Sequence, residues 1–175
     1  MASKEEYSYE VKIPKDRIAV LIGKRGEIKK QIEKSTKTQI QIDSKEGEII
    51  ITGTDAIHLY TCKEIIRAIG RGFNPEIAQQ LLKQDYGLEI IPINARNKED
   101  LERLKGRIIG QEGKSRKTIE QITQTNICVY GKTISIIGDF EGLDLSRRAI
   151  NMLLTGSPHS NVFRMLEKRI KEVKR

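Results

Sequence analysis

Two cysteines and two histidines are all that 175 residues supply of the side chains most used for metal binding and acid-base catalysis. Cys62 and Cys128 lie far apart inside periodic apolar segments, with no CxxC spacing and no histidine neighbour. That pattern excludes a zinc-type site and leaves buried, reduced thiols as the expectation. His58 falls in a helical pattern and reads as helix surface, and His159 follows Ser157-Pro158 and reads as part of a helix-starting turn. There is no Walker loop, and no serine or cysteine nucleophile stands beside a histidine. These absences argue against an enzyme and predict no cofactor and no metal. No apolar run approaches the ~20 residues that a membrane span needs. No opening hydrophobic run resembles a signal peptide, so the expected location is cytoplasmic, with no membrane partner.

What the chain has in excess is positive charge. Lys and Arg number 32 against 24 Asp and Glu, for a formal net charge of +8, and the pI is near 9.5. A basic balance of this size favours a polyanionic partner. The hydrophobic fraction of 37% is enough for a real core, in one large domain or two small ones.

An internal repeat decides for two. When Leu21-Ile22-Gly23-Lys24-Arg25-Gly26 is set on Ile108-Ile109-Gly110-Gln111-Glu112-Gly113, further matches follow at the same offset. Ile32 meets Ile119, Glu33 meets Glu120, Thr36 meets Thr123, and Ile40 and Ile42 meet Ile127 and Val129; after a short length difference Gly53 meets Gly138.

In the first copy, Tyr7, Tyr9, Val11 and Ile13 alternate with polar residues, the period-two pattern of a half-buried strand, ended by Pro14. The pattern then predicts helices over Asp16–Ile22 and from the second glycine to about Ser35, where Ile28 and Ile32 share a face. Strands follow over Gln39–Asp43 and Glu48–Thr52. A long helix comes next, with Thr54 as its N-cap, a stripe of Ala56, Leu59, Cys62, Ile66 and Ile69, and Gly70 as its stop. The second copy repeats this β-α-α-β-β-α order with Leu88–Ile93, Lys98–Ile109, Lys114–Gln124, Asn126–Tyr130, Thr133–Ile137 and Phe140–Thr155, the last helix capped by Asp139. Pro14 is nine residues before Gly23 but Pro92 is eighteen before Gly110, which predicts a longer first helix in the second copy. The expected division is a first domain over 1–72, a linker helix over 73–85, a second domain over 86–157 and a basic C-terminal helix over 158–175. Asn74-Pro75 reads as an N-cap followed by a proline at the first helical position. The apolar Ile77, Leu81 and Leu82 predict that this segment docks and fixes the two units relative to one another.

A Gly-x-x-Gly loop between two helices lets the backbone approach a ligand without an intervening side chain, at a helix start whose free N–H groups attract anions. A phosphodiester backbone fits. Candidate RNA contacts in the first copy are Arg17, Ile22, Gly23, Lys24, Arg25, Gly26, Lys29 and Lys30, with Ile40 and Ile42 expected to form an apolar floor for unstacked bases. In the second copy they are Arg107, Gly110, Gln111, Gly113, Lys114, Arg116 and Lys117. The loops are unequal, because Gln111-Glu112 replaces Lys24-Arg25 and puts an anion where phosphate would sit. The basic tail from Arg164 reads as a solvated helix face.

The repeated apolar-Ile-Gly-x-x-Gly pattern, with Thr36 and Thr123 and then Ile40 and Ile127 at matched spacing, resembles KH domains. The βααββα order is similar to their type I arrangement, over roughly residues 7 to 70 and 87 to 156. The resemblance implies an α+β fold of two tandem type I KH domains joined by a short docked helix. KH sequences usually carry an aliphatic residue three positions after the second glycine, where this chain has Lys29 and Arg116. Ile69-Gly70-Arg71-Gly72-Phe73-Asn74-Pro75, with Ala78 and Leu81-Leu82, resembles the interdomain signature of the archaeal Pno/Krr-type ("partner of Nob") KH proteins, and Gly156-Ser157-Pro158-His159-Ser160 resembles their C-terminal motif. That resemblance implies single-stranded RNA binding near the 3′ end of small-subunit ribosomal RNA. It also implies association with a Nob-type endonuclease and with the alpha subunit of the initiation factor that carries initiator tRNA. The alternatives are a tandem-KH transcription or translation factor and a protein-interaction scaffold.

Overall fold

The computed structural model describes residues 4–175. The chain divides into two compact units, one ending at Gln84 and one running from Asp85 to Arg175; the first three residues of the expected first domain lie outside the described ones. The first unit consists of β1 (Tyr7–Lys12), α1 (Lys15–Ile22), α2 (Glu27–Thr36), β2 (Gln39–Asp43), β3 (Glu48–Gly53), α3 (Ala56–Gly70) and α4 (Pro75–Ala78), the last followed by a 3-10 turn (Gln79–Leu82). The second consists of β4 (Tyr86–Pro92), α5 (Lys98–Ile109), α6 (Lys114–Thr123), β5 (Asn126–Tyr130), β6 (Thr133–Asp139), α7 (Phe140–Leu154) and α8 (His159–Val173). Both are α+β, and each holds a three-stranded antiparallel sheet, β1-β3-β2 or β4-β6-β5. The longer first helix of the second unit is present, twelve residues in α5 against eight in α1.

The repeat runs one element further than the sequence suggests. The segment from Pro75 to Leu82 packs on α2 and α3 of its own unit, as α8 packs on α6 and α7. Ala78 and Val162 are both fully buried there. Asn74 caps α4 by accepting from the Glu76 N–H at 2.9 Å.

Each core lies between one sheet face and the helices. On the central strand β3, Ile49 and Ile51 are fully buried and Ile50 between them is exposed, as period two requires. On β1 only Val11 and, just beyond the strand, Ile13 are buried. Tyr7 and Tyr9 remain 43% and 38% exposed because β1 is an edge strand, and the Lys63 ammonium lies 5.1 Å from the Tyr9 ring centroid.

The long helix of the first unit departs from expectation at its start. Its N-cap is Asp55, not Thr54: Asp55 Oδ1 accepts from the N–H groups of Ile57 and His58 at 2.9 and 3.0 Å. The His58 amide is the main reason that this carboxyl sits below the ordinary aspartate value. Ala56 is exposed, so the buried stripe starts at Leu59. The helix ends at Gly70 as expected, but not through a left-handed φ. A Cβ there would stand 2.6 Å from Ile13 Cγ2, so glycine is needed for the close approach to Ile13, and the chain turns out at Gly72, whose φ is +103°.

A small buried hydroxyl network links helix to strand in each unit. Thr36 meets Thr38 at 2.7 Å and Thr38 donates to Cys62 Sγ at 3.3 Å; Thr123 meets Thr125 at 2.8 Å, and Thr125 meets Ser146 at 2.9 Å. Cys62 is fully buried, and desolvation pushes its thiol above the ordinary value. Cys128 is only half-buried, against the expectation of two buried thiols.

Candidate nucleic-acid interface

The two glycine loops have one backbone. Gly23, Arg25 and Gly26 have φ/ψ of 71/−180, 55/26 and 75/15 degrees, and Gly110, Glu112 and Gly113 have 73/176, 55/28 and 75/12 degrees. The two glycines of each loop do different work. A Cβ on Gly23 would lie 2.4 Å from Ile28 Cγ1, and one on Gly110 would lie 2.7 Å from Ser115 Cβ, so the first glycine is required by packing. A Cβ on Gly26 would meet nothing within 4 Å. The second glycine therefore presents bare backbone to open space. No side chain caps the start of α2 or α6, which leaves the positive end of each helix facing that space.

In the first unit a cleft of about 360 Å³ adjoins the loop, lined by Ile22, Gly26, Lys29, Lys30, Glu33 and Ile42. Lys24 and Arg25 are exposed on the loop at its edge. The floor is Ile22 with Ile42. Ile40, expected to share it, is 2% exposed and belongs to the core, because α2 covers that end of β2 and leaves only Ile42 half-buried. Ile42 is on the floor as expected, and Glu33 and Ser44 line the cleft without any sign in the sequence that they do.

Lys29 and Arg116, where KH sequences carry an aliphatic residue, serve the helix–strand junction. Lys29 Nζ is 3.8 Å from Glu33 Oε1, which accepts from the Ile40 N–H at 2.9 Å. Arg116 donates to Glu120 Oε1 at 2.9 Å, and that oxygen accepts from the Ile127 N–H at 2.8 Å. A carboxylate thus pins the start of each strand to its helix, with a cation beside it.

Arg17 and Arg107 are not free cations for RNA. Arg17 Nε donates to the Ile69 carbonyl at 2.8 Å and its Nη2 to the Phe73 carbonyl at 2.9 Å. Arg107 Nε donates to the Leu153 carbonyl at 3.0 Å and its Nη2 to that of Ser157. Both close the C-terminal end of the unit's long helix, where orphan carbonyls need donors. Lys114 and Lys117 are exposed on the first turn of α6, and Gln111 is exposed on the loop. No group of His, Cys, Asp and Glu suited to a metal ion occurs among the described residues, and none of their helices is long and apolar enough to cross a membrane.

Residues 87–171 match a PNO1-type second KH domain, described as a eukaryotic type KH-domain (KH-domain type I), and residues 8–68 match the general KH domain. The chain is 45% identical over 171 residues to the KH domain-containing protein MJ0443 of Methanocaldococcus jannaschii, covering 94% of this chain and 75% of that one. It is 29% identical over 174 residues to the pre-rRNA-processing protein pno1 of Aspergillus fumigatus, covering 93% and 69%. Its fold superposes on the matching chain of the a/eIF2alpha–aDim2p–rRNA complex of Pyrococcus horikoshii with a TM-score of 0.90 at 47% identity, covering 95% and 96%.

Proposed function

The chain belongs to the family of PNO1-type KH-domain proteins, and on that premise we propose that it is a non-enzymatic protein that binds single-stranded RNA in small-ribosomal-subunit biogenesis, near the 3′ end of the small-subunit RNA. The observation that carries this reading is the pair of loops with one backbone, each starting an uncapped helix, with the second glycine facing open space in the first loop and only the ends of the Arg116 and Lys117 side chains in the second. Beside the first, cations at Lys24, Arg25, Lys29 and Lys30 flank an apolar floor of Ile22 and Ile42. Phosphates go to the loop and bases to the floor. A base can lie on that floor only if it is unstacked, so the cleft takes single strands and rejects duplex.

Two sites on one chain make the second contact intramolecular, so modest grips combine into a tighter one. At about four nucleotides per KH clamp, the ligand is a strand of roughly eight to twelve nucleotides, and a ribosomal 3′ terminus supplies one. The rRNA in the Pyrococcus complex and the pre-rRNA-processing name of the Aspergillus relative support this target. The a/eIF2alpha in the same complex supports the initiation-factor alpha subunit as a protein partner. A Nob-type endonuclease as a second partner and a cytoplasmic location complete the reading.

Competition decides it. A 3′-terminal small-subunit oligonucleotide displaces labelled RNA better than a scrambled sequence of equal length and composition. Equal displacement by both leaves a general KH binder and removes the ribosomal reading; no binding of any single strand in a filter assay leaves a protein scaffold.

A further inference from the structure

A second cavity, of about 550 Å³, lies beside the loop of the second unit, between α5, α6 and α8. Its size falls within the roughly 300–1,000 Å³ typical of small-ligand sites. Gly110 and Gln111, the first two residues of the loop, form part of its wall, and so do Lys114, Ser115, His159 and Phe163. It is not the counterpart of the cleft in the first unit, whose helix lining comes from Lys29, Lys30 and Glu33. Ser115 and Thr118 lie on another face of the corresponding helix.

The repeat accounts for the space. Ser115 stands where the first copy has Ile28, whose side chain crowds Gly23. The shorter serine leaves room. Its hydroxyl is buried without any hydrogen-bond partner, in a residue only 6% exposed. A buried polar group left unpaired costs about 1–3 kcal/mol, so it calls for a partner from outside the chain.

The other walls define that partner. His159 Nε2 lies 2.8 Å from the Arg107 carbonyl oxygen. A carbonyl only accepts, so Nε2 is the donor in this contact. The Phe163 ring lies beside it, with centroids 6.2 Å apart and planes tilted by 55°. An exposed lysine, Lys114, and the uncapped start of α6 supply positive potential at one end. Aromatic surface, cation and unpaired hydroxyl together match a planar heterocycle carrying a phosphate.

We infer that this cavity holds one nucleoside 5′-monophosphate unit, outside the KH grooves. As a unit of RNA it is the nucleotide next to the strand gripped at the second loop, since Gly110 and Gln111 border the cavity and Gly113 is the counterpart of Gly26, which lines the cleft of the first unit; that source rests on the RNA-binding reading above. The same chemistry also fits a free nucleotide.

The test uses the full chain, two substitutions and two kinds of probe. Ser115→Ile copies the first unit and fills the space; Phe163→Leu keeps most of the packing and removes the ring. Affinity is measured for an eight-nucleotide RNA and for the same RNA lengthened by one or two nucleotides at either end. For the wild type, lengthening at one end tightens binding roughly tenfold, the scale of one stacked base. Both variants lose that gain. Separately, ¹H–¹⁵N spectra are recorded with adenosine, guanosine, cytidine and uridine 5′-monophosphates and with inorganic phosphate. Shifts at Ser115, His159 and Phe163 with a nucleotide but not with phosphate, and without a gain from lengthening, assign the cavity to a free nucleotide. No gain and no such shifts, or a gain that both folded variants keep, overturns the inference. A chain that binds no RNA yet shows the nucleotide shifts overturns the RNA-binding reading and leaves the cavity assigned.

Discussion

Arg17 and Arg107 perform one task from different positions: the first stands six residues before Gly23 and the second three before Gly110, yet each guanidinium bridges the carbonyls of two residues four apart, Ile69 and Phe73 or Leu153 and Ser157. Residues three apart on a helix share a face, so a shift of about one turn keeps the side chain directed at the same carbonyls. The planar fork of arginine suits two acceptors at once, which the single ammonium of lysine does not.

Replacing either arginine with alanine removes two charge-assisted hydrogen bonds and leaves helix-end carbonyls without donors. Each substitution is expected to cost about 1.5–3 kcal/mol, read as a lower denaturant midpoint, and lysine restores little of it. RNA affinity of the folded R17A protein stays within about twofold of wild type. A tenfold loss there, with unchanged stability, would reverse the assignment.

The sequence made these two residues look like RNA contacts because a cation just upstream of a glycine loop carries no local sign of where its side chain goes. Their acceptors are 46 to 56 residues away in the chain, and only the fold brings them together. Ile40 looks like a floor residue for a related reason. Alternation places Ile40 and Ile42 on one face, but not the point at which α2 ceases to cover that face. What was legible came from local rules: period two in the strands, period 3.6 in the helices, proline and glycine at boundaries, and the repeat, which carried one reading onto both halves. The kinship of α4 with α8 was hidden because Pro75–Leu82 is short and reads as a linker.

The two glycines of a loop should respond differently to alanine. Gly23→Ala forces both a left-handed φ and a contact with Ile28, and Gly110→Ala does the same against Ser115. Gly26→Ala meets open space and carries only the backbone penalty, roughly 1 kcal/mol. Thermal unfolding therefore ranks Gly23→Ala below Gly26→Ala in stability. RNA binding reverses the emphasis, since Gly26→Ala puts a methyl where the phosphate backbone approaches. Equal stabilities would mean that Ile28 moves aside without cost.

The hydroxyl networks predict which change Cys62 tolerates. Ser146 already occupies the corresponding place in the second unit and meets both Thr123 and Thr125 at 2.8 and 2.9 Å. Cys62→Ser should then cost under about 1 kcal/mol, and Cys62→Ala somewhat more, because the Thr38 hydroxyl loses an acceptor. Burial also raises the thiol pKa in the folded state. The unfolded chain loses this proton first as pH rises, so the thiol's contribution is complete below the ordinary value of 9.0 and declines above it. In the native protein a thiol reagent should label Cys128 first and Cys62 only on unfolding. Equal native rates would contradict the burial.

The last prediction concerns the loops as phosphate grips. Arg25 and Glu112 have the same left-handed backbone, with φ of 55° in both, so the loops present their side chains alike and differ mainly in charge. Aspartate is among the residues that accept that conformation most readily. Lys24-Arg25→Asp-Asp and Gln111-Glu112→Asp-Asp are therefore comparable in backbone cost, and circular dichroism verifies that both fold. If about five phosphates are neutralised, wild-type affinity falls roughly a hundredfold between 50 and 200 mM salt, from the single-strand slope of about 0.7 per phosphate. Losing the two cations of the first loop lowers that slope by about 1.4 and weakens binding more than the change in the second loop, where no cation is removed. A larger affinity loss from the second loop would reverse the ranking and make Lys114 and Lys117, with the backbone at Gly113, the main grip.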